Sequence, residues 1–407
     1  MLSFQSLKPA LLFVCAGILT TIALHFPNTH HRFFLPPILL ITAWSLATID
    51  GDATSAGPLG LDSYTGITCI LFMFILPRIL FFEQHLLSRD EKFYTAGNYT
   101  TTVVLPSKSS ILTAWRIWNN PRGLSFSRPD PALAPYSWPV LARFAILRAF
   151  KAGTIIVFDR LVVQNIREQL TTSSSLYHFT PDQEPITRRL FDREDDPVSL
   201  HELRLRAFMS VSWIWANVLI LESYHALLAI VFVVILRLDD PEDWPPLFGS
   251  PADAWTVRRF WGKFWHRIVT PTFTSCARPL SRHLLQCRPG SNLENAVIAL
   301  CIFFLSGLAH AIVAWRIGQG YAHLDLLFFT SNFVVVALEI LVSKLVKNAL
   351  RKTTYEPMLR DRKVQMVGKA LGFVWVFAWF FWVVPRWIYP KTLRWAIKQA
   401  ILQYRPQ

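Results

Sequence analysis

Apolar positions in this chain gather into unbroken runs, and the polar residues gather between them, so neither strict alternation nor a half-polar helical period describes the pattern. Ala10 to Phe26, Phe33 to Ile49 and Thr65 to Phe82 form three runs near the N-terminus; Leu293 to Trp315, Leu324 to Val346 and Val367 to Ile388 form three more. Each is near the length of about twenty residues that an α-helix needs to cross a bilayer. Ala10 to Phe26 reads as an uncleaved first span, because no small-residue cleavage site follows it and a second run begins at Phe33. Leu205 to Leu221 and Tyr224 to Leu238 read as two short spans or one long broken one. Glu222 and His225 sit at their junction, where Glu222 reads as part of an exposed turn rather than as a catalytic carboxylate. Trp138 to Val163 is interrupted by Arg143, Arg148, Lys151 and Asp159, and fits an interfacial or re-entrant helix as well as a tilted span. The pattern predicts an all-α polytopic membrane protein with roughly eight or nine transmembrane helices.

The polar stretches divide the chain. Residues 1–83 hold the first helices, residues 84–139 form a polar connection rich in proline and in arginine and lysine, and residues 140–407 form a second membrane region. Trp115, Trp118, Phe126 and Trp138 in or beside the connection predict that it docks onto the membrane or the core. Thr171 to Leu203, with the acidic cluster Asp192 to Asp196, reads as a solvated loop. Basic connections face the cytosol, which places residues 84–139, Arg258 to Arg288 and Lys347 to Lys369 there, and the acidic Asp50 to Asp62 loop opposite. The sequon Asn98-Tyr99-Thr100 then lies in the cytosol, unmodified.

Composition agrees with the membrane reading. Of 407 residues 52% are hydrophobic and 17% charged, where soluble domains carry about 25% charged residues. The net charge of +14 lies in the connections and forms no continuous basic face, so it suits membrane orientation and anionic headgroups or a phosphate-bearing substrate, and no nucleic acid is expected. Sixteen tryptophans suit bilayer interfaces. Five cysteines without a CxxC pair indicate neither a disulfide framework nor a zinc site, and no metal is expected.

The candidate chemistry rests on two histidines. His310 lies inside the apolar stretch Phe303 to Trp315, about 25 Å along its helix at 1.5 Å per residue. A polar side chain in hydrocarbon costs free energy unless it is hydrogen-bonded, and an ionisable one marks a candidate functional site. A neutral imidazole there is a competent general base, although a packed interhelical partner has the same appearance. Ser306 shares its helical face and Gly307 permits close approach of another helix or of substrate. His266 closes the segment Arg258 to His266, which by itself reads as an interfacial amphipathic helix with Phe260, Trp261, Phe264 and Trp265 in the headgroup boundary and Arg259, Lys263 and Arg267 facing phosphate. A transporter or lipid-binding protein predicts paired intramembrane charges and internal repeats; neither is evident, and Glu339 with Lys344 comes nearest.

Pro245-Pro246-Leu247-Phe248, Phe260-Trp261-Gly262-Lys263-Phe264-Trp265-His266 and Ser306-Gly307-Leu308-Ala309-His310, in that order, resemble the signature of the wax synthase-like branch of membrane-bound O-acyltransferases. Pro121-Arg122-Gly123 looks like the short Arg-Gly motif of fungal members, though the next aromatic, Phe126, stands further off than usual. The resemblance implies a helical bundle around a tunnel in which acyl-CoA from the cytosol meets a hydroxyl acceptor. His310 would be the general base, and His266 would position substrate or polarise the thioester carbonyl. Trp261, Trp265, Lys263, Arg259 and Ser306 are the candidate substrate- or CoA-binding residues. Size, Arg-Gly loop and Pro-Pro-Leu-Phe lead-in look closest to fungal enzymes that acetylate terpenoid or meroterpenoid alcohols. The implied co-substrate is acetyl-CoA with no bound cofactor, the acceptor a hydrophobic alcohol, and the location the endoplasmic reticulum membrane. Wax ester or sterol ester synthesis from long-chain acyl-CoA is the second expectation.

Overall fold

The computed structural model describes residues 4–49, 61–82, 108–124, 136–172, 176–183, 186, 198–350 and 361–403, which contain helices and their connections and no strand. Helices α1 (Phe4–Ala23), α2 (Asn28–Ala47) and α3 (Leu61–Pro77, prolonged by a π turn over Arg78–Phe82) form an antiparallel group. Ser45 of α2 donates to the Pro9 carbonyl of α1 at 2.7 Å, and His31 bonds the Leu80 carbonyl at 2.9 Å. The short α4 (Lys108–Trp118) docks on them, with Trp118 buried and its indole N–H 3.0 Å from Thr21 Oγ1. The polar connection thus packs onto the core through Trp118, as its tryptophans predict; Phe126 lies outside the described residues.

The rest of the bundle continues the alternation. Helix α5 (Trp138–Phe158) passes through a π turn (Asp159–Val163) into α6 (Gln164–Thr172). Helix α7 (Leu200–Ala229, with a π turn to Ile235) returns beside it. Next come the short α8 (Val257–Arg259, continued by a π turn over Phe260–Phe264) and α9 (Thr270–Pro279). Three long helices end the described chain: α10 (Asn292–Arg316), α11 (Ala322–Leu350) and α12 (Arg362–Gln403). Ser199 and Ser291 cap α7 and α10 by accepting from the backbone N–H groups of Glu202 and Glu294. The turn from α10 to α11 relies on Gly318 and Gly320, both at positive φ.

Among the described residues, Ser63–Phe82, Leu200–Ile235, Asn292–Arg316, Ala322–Ala349 and Arg362–Ile401 are long and apolar enough to cross a membrane. The polar first turn of α2 and the cations of α5 keep those two helices out of this set. The outer surface is apolar, with Leu40, Phe150 and Trp315 at 70%, 72% and 74% exposure, as a lipid-facing coat requires.

Three local expectations change. The Glu222 junction is no turn: α7 runs straight through it, because Lys151 reaches the buried carboxylate at 2.7 Å and neutralises it. Phe260, Phe264 and Trp265 are buried against Trp213 and Phe380 rather than lying in a headgroup boundary. Within Thr171 to Leu203, the described turns Leu176–Phe179 and Pro181–Gln183 dock on helix ends, Phe179 against Tyr389 and the Gln183 carbonyl on Arg206; Asp192 to Asp196 lie outside the described residues.

Candidate active site

A cavity of about 1010 Å³ lies between α3, α7, α10, α11 and α12, with a largely apolar wall and the 258–269 segment across it. That segment is set by its own motif residues. Gly249 donates to the Phe264 carbonyl at 2.8 Å, and a Cβ on Gly249 would stand 2.0 Å from the Lys263 carbonyl oxygen, so only glycine lets the Pro-Pro-Leu-Phe lead-in lie against the π turn. Arg122 reaches across from the N-terminal half and donates to the Pro245 and Pro246 carbonyls at 3.1 and 3.0 Å. Gly123, at φ 60°, gives room to the Arg78 guanidinium, whose nitrogen would lie 2.8 Å from a Cβ there. The Arg-Gly pair therefore braces the lead-in. Trp265 donates to the Phe260 carbonyl at 2.7 Å and adopts extended backbone, which ends the helical turn and presents His266 to the cavity.

His310 lines the same cavity from α10, its ring stacked on Phe329 of α11 at 4.9 Å and 13°. Gly307 makes this possible: a Cβ there would lie 2.9 Å from Leu326 Cα, so the two helices touch one turn before His310. His266 packs edge-on to Phe248 at 5.6 Å, and its Nδ1 is buried without a hydrogen-bond partner. Burial, followed by the nearby His310 and Arg122, pushes its pKa from 6.5 down to about 3, so its imidazole stays neutral at working pH. A neutral histidine with an unused ring nitrogen in an apolar cavity is free to bond a substrate oxygen.

The remaining sequence candidates divide. Trp261, Trp265 and Ser306 line the cavity. Lys263 is exposed, and Arg259 pairs with Asp253 and lies over the Trp255 ring at 4.6 Å; neither is among the lining residues, where Arg258 and Arg267 stand instead. Among the described residues no group of histidine, cysteine and carboxylate side chains is arranged to hold a metal.

Two polar clusters escape the sequence reading. Asn332, fully buried on α11, accepts from the indoles of Trp261 at 3.1 Å and Trp379 at 2.9 Å and so fixes the cavity-lining Trp261. Asp325 and Lys391 form a buried ion pair, with Lys391 Nζ 2.6 Å from both carboxylate oxygens and Trp387 Nε1 2.8 Å from one. Paired intramembrane charges therefore do exist, contrary to the sequence expectation. Glu339, by contrast, belongs to no relay: it accepts from the Val257 and Arg258 N–H groups and from Trp375 Nε1, capping α8.

These features define a helical membrane protein with two histidines and a buried carboxylate–ammonium pair around one apolar cavity. Residues 244–331, which hold the Pro-Pro-Leu-Phe lead-in, His266 and His310, match the model of the Membrane bound O-acyl transferase family. The chain is 34% identical over 195 residues to acetyltransferase atnC of Arthrinium sp, covering 48% of this chain and 43% of that one. It is 33% identical over 159 residues to acetyltransferase ple2 of Rhodocybe pseudopiperita, covering 38% of each chain. It is 31% identical over 238 residues to acetyltransferase aurG of Calcarisporium arbuscula, covering 58% of this chain and 54% of that one. The chain thus spans about half or less of the length of these curated relatives, and the resemblance read from its motifs is to the fungal acetyltransferases of that family. No solved structure matches the chain significantly.

Proposed function

We propose that this chain is a membrane-bound O-acyltransferase that moves an acetyl group from acetyl-CoA to a hydroxyl of a hydrophobic terpenoid or meroterpenoid. The observation that carries the reading is the convergence of His310 and His266 on one apolar cavity of about 1010 Å³, large enough for a multi-ring acceptor with the acyl end of the donor. In the reaction His310 takes the proton of the acceptor hydroxyl. The oxygen attacks the thioester carbonyl, the new C–O bond forms, the C–S bond breaks, and the departing thiolate takes the proton back from His310. His266 stays neutral and offers a ring N–H to the carbonyl oxygen as charge develops there. Arg258 and Arg267, which line the cavity, suit the phosphates of the donor. With α1, α2 and α5 joining the five helices of span length, the bundle crosses the membrane eight times.

The test is acyl transfer by microsomes from cells expressing the chain, with labelled acetyl-CoA and palmitoyl-CoA offered against terpenoid, sterol and fatty alcohols, beside His310→Ala at matched expression. Acetyl transfer to a terpenoid that falls by at least about 10²-fold in the variant is the expected result. Palmitoyl transfer to a fatty or sterol alcohol would move the assignment to wax or sterol ester synthesis, and equal product from both chains would remove His310 from the mechanism.

A further inference from the structure

The Asp325–Lys391 pair holds α11 to α12, yet burial of an ion pair is a poor way to hold two helices together. Apolar residues of similar volume at such a site are commonly as stable or more so, because both ions lose their hydration. The pair also does not sit in a sealed interface: both side chains line the cavity that His310 faces. Its position relative to His310 follows from helix geometry. Asp325, Phe329 and Asn332 are spaced i, i+4 and i+7 and share one face of α11. Phe329 carries the His310 ring, Asn332 holds the Trp261 and Trp379 indoles, and Asp325 extends the same face beyond His310. The contact of Gly307 with Leu326 and with the Asp325 backbone fixes the two helices in that register. Asp325 and His310 line the same cavity.

We propose that Asp325 is a positioning residue for His310, its carboxylate held by Lys391 and Trp387 so that it stabilises the imidazolium that forms when His310 takes the acceptor proton. The inference rests on acyl transfer at His310. Asp325 exchanges no proton in the cycle: the proton passes from hydroxyl to imidazole and from imidazole to thiolate, while the carboxylate remains ionised. Without a fixed anion, creating a cation in an apolar cavity is costly, and that cost falls on the transition state rather than on substrate binding. Lys391 Nζ and the Trp387 indole N–H donate to the carboxylate and hold it ionised in a fixed place on α11.

The experiment compares wild type with Asp325→Asn/Lys391→Met, which removes both charges and leaves none unpaired. Full-length protein is purified in detergent, its folding read from monodispersity and melting temperature, and acetyl transfer measured against the acceptor that the wild type uses. The expected result is a folded double variant whose kcat falls about 10²-fold while KM for acetyl-CoA changes less than about twofold, the split given by loss of a partner made only in the transition state. A folded double variant with wild-type kcat would reduce the pair to an interhelical clamp and overturn the inference, leaving the proposed function intact. Should the double variant not fold, the exchange Asp325→Lys/Lys391→Asp retains a pair and moves the anion off α11. A kcat reduced by a similar factor supports the assignment, and a wild-type kcat in the exchanged chain overturns it. Wild type that transfers no acyl group to any alcohol fails a different test, that of the proposed function.

Discussion

His266 carries a cost that acid exposes. Its pKa in the folded chain, about 3, lies below the ordinary 6.5, so the unfolded chain binds a proton that the folded one refuses throughout the interval between them. Stability is therefore complete above pH 6.5 and is lost as pH falls towards 3, by at most about 1.4 kcal/mol per pH unit for this one group. His266→Asn removes the titration and keeps a hydrogen-bonding side chain. Between pH 7.5 and 5.5 its melting temperature is expected to drop less than that of wild type; parallel curves would show that His266 protonates freely in the folded state. His310 was legible as a polar residue inside an apolar run, and His266 only through its company in the motif Phe260 to His266. Asp325 and Lys391 were not: they stand 66 residues apart, near helix ends where a charge is unremarkable, and only the packing of α11 on α12 brings them together. Lys263 and Arg259 differ: their charge was legible, but Arg258 and Arg267 are the arginines of this segment that line the cavity.

At the scale of elements, the motif segments work by docking. The backbone of α12 approaches the 250s as closely as Gly249 approaches the π turn, since a Cβ on Gly372 would lie 2.2 Å from the Trp255 carbonyl oxygen. Backbone cannot step aside for a methyl group, so Gly249→Ala is expected to cost about 1–3 kcal/mol and to displace His266. Its melting temperature should fall together with the proposed acetyl transfer, and an unchanged melting curve would count against the contact. Glu339 supplies the other restraint. Its carboxylate meets the free N–H groups at the start of α8, and Glu339→Gln should lower stability by about 0.5–2 kcal/mol, read from the same melting assay, without changing the donor preferred. The long helices were legible as apolar runs. The continuity of α7 through Glu222 was not, because it depends on Lys151 of α5. The docking of α4 was foreshadowed by Trp115 and Trp118, whereas the brace from Arg122 to the Pro-Pro carbonyls joins positions that sequence pattern alone leaves unconnected.

Across the whole molecule, α1, α2, α3, α5, α7, α10, α11 and α12 alternate in direction, and successive partners fix the alternation. Pro9 meets Ser45, Leu80 meets His31, Val313 meets Gly66, Lys151 meets Glu222, Arg206 meets Phe381, Phe329 meets His310 and Lys391 meets Asp325. The end of the bundle that holds α4, α8 and α9 therefore also receives both termini of the long connection 83–107 and of the basic connection 351–360. By the preference of basic connections for the cytosol, this end is expected to face the cytosol, the side from which the proposed CoA-bearing donor would enter. The sequon at Asn98 lies outside the described residues, and the sequence reading places it in the cytosol. It is expected to stay unmodified when the chain is made in a glycosylating cell, while a sequon placed in the acidic stretch between Asp50 and Asp62 gains a glycan, each read as a mobility change on glycosidase treatment. A glycan on Asn98 would invert the bundle, set the arginines facing the lumen, and leave a cytosolic CoA thioester on the wrong side of the membrane from its own entrance.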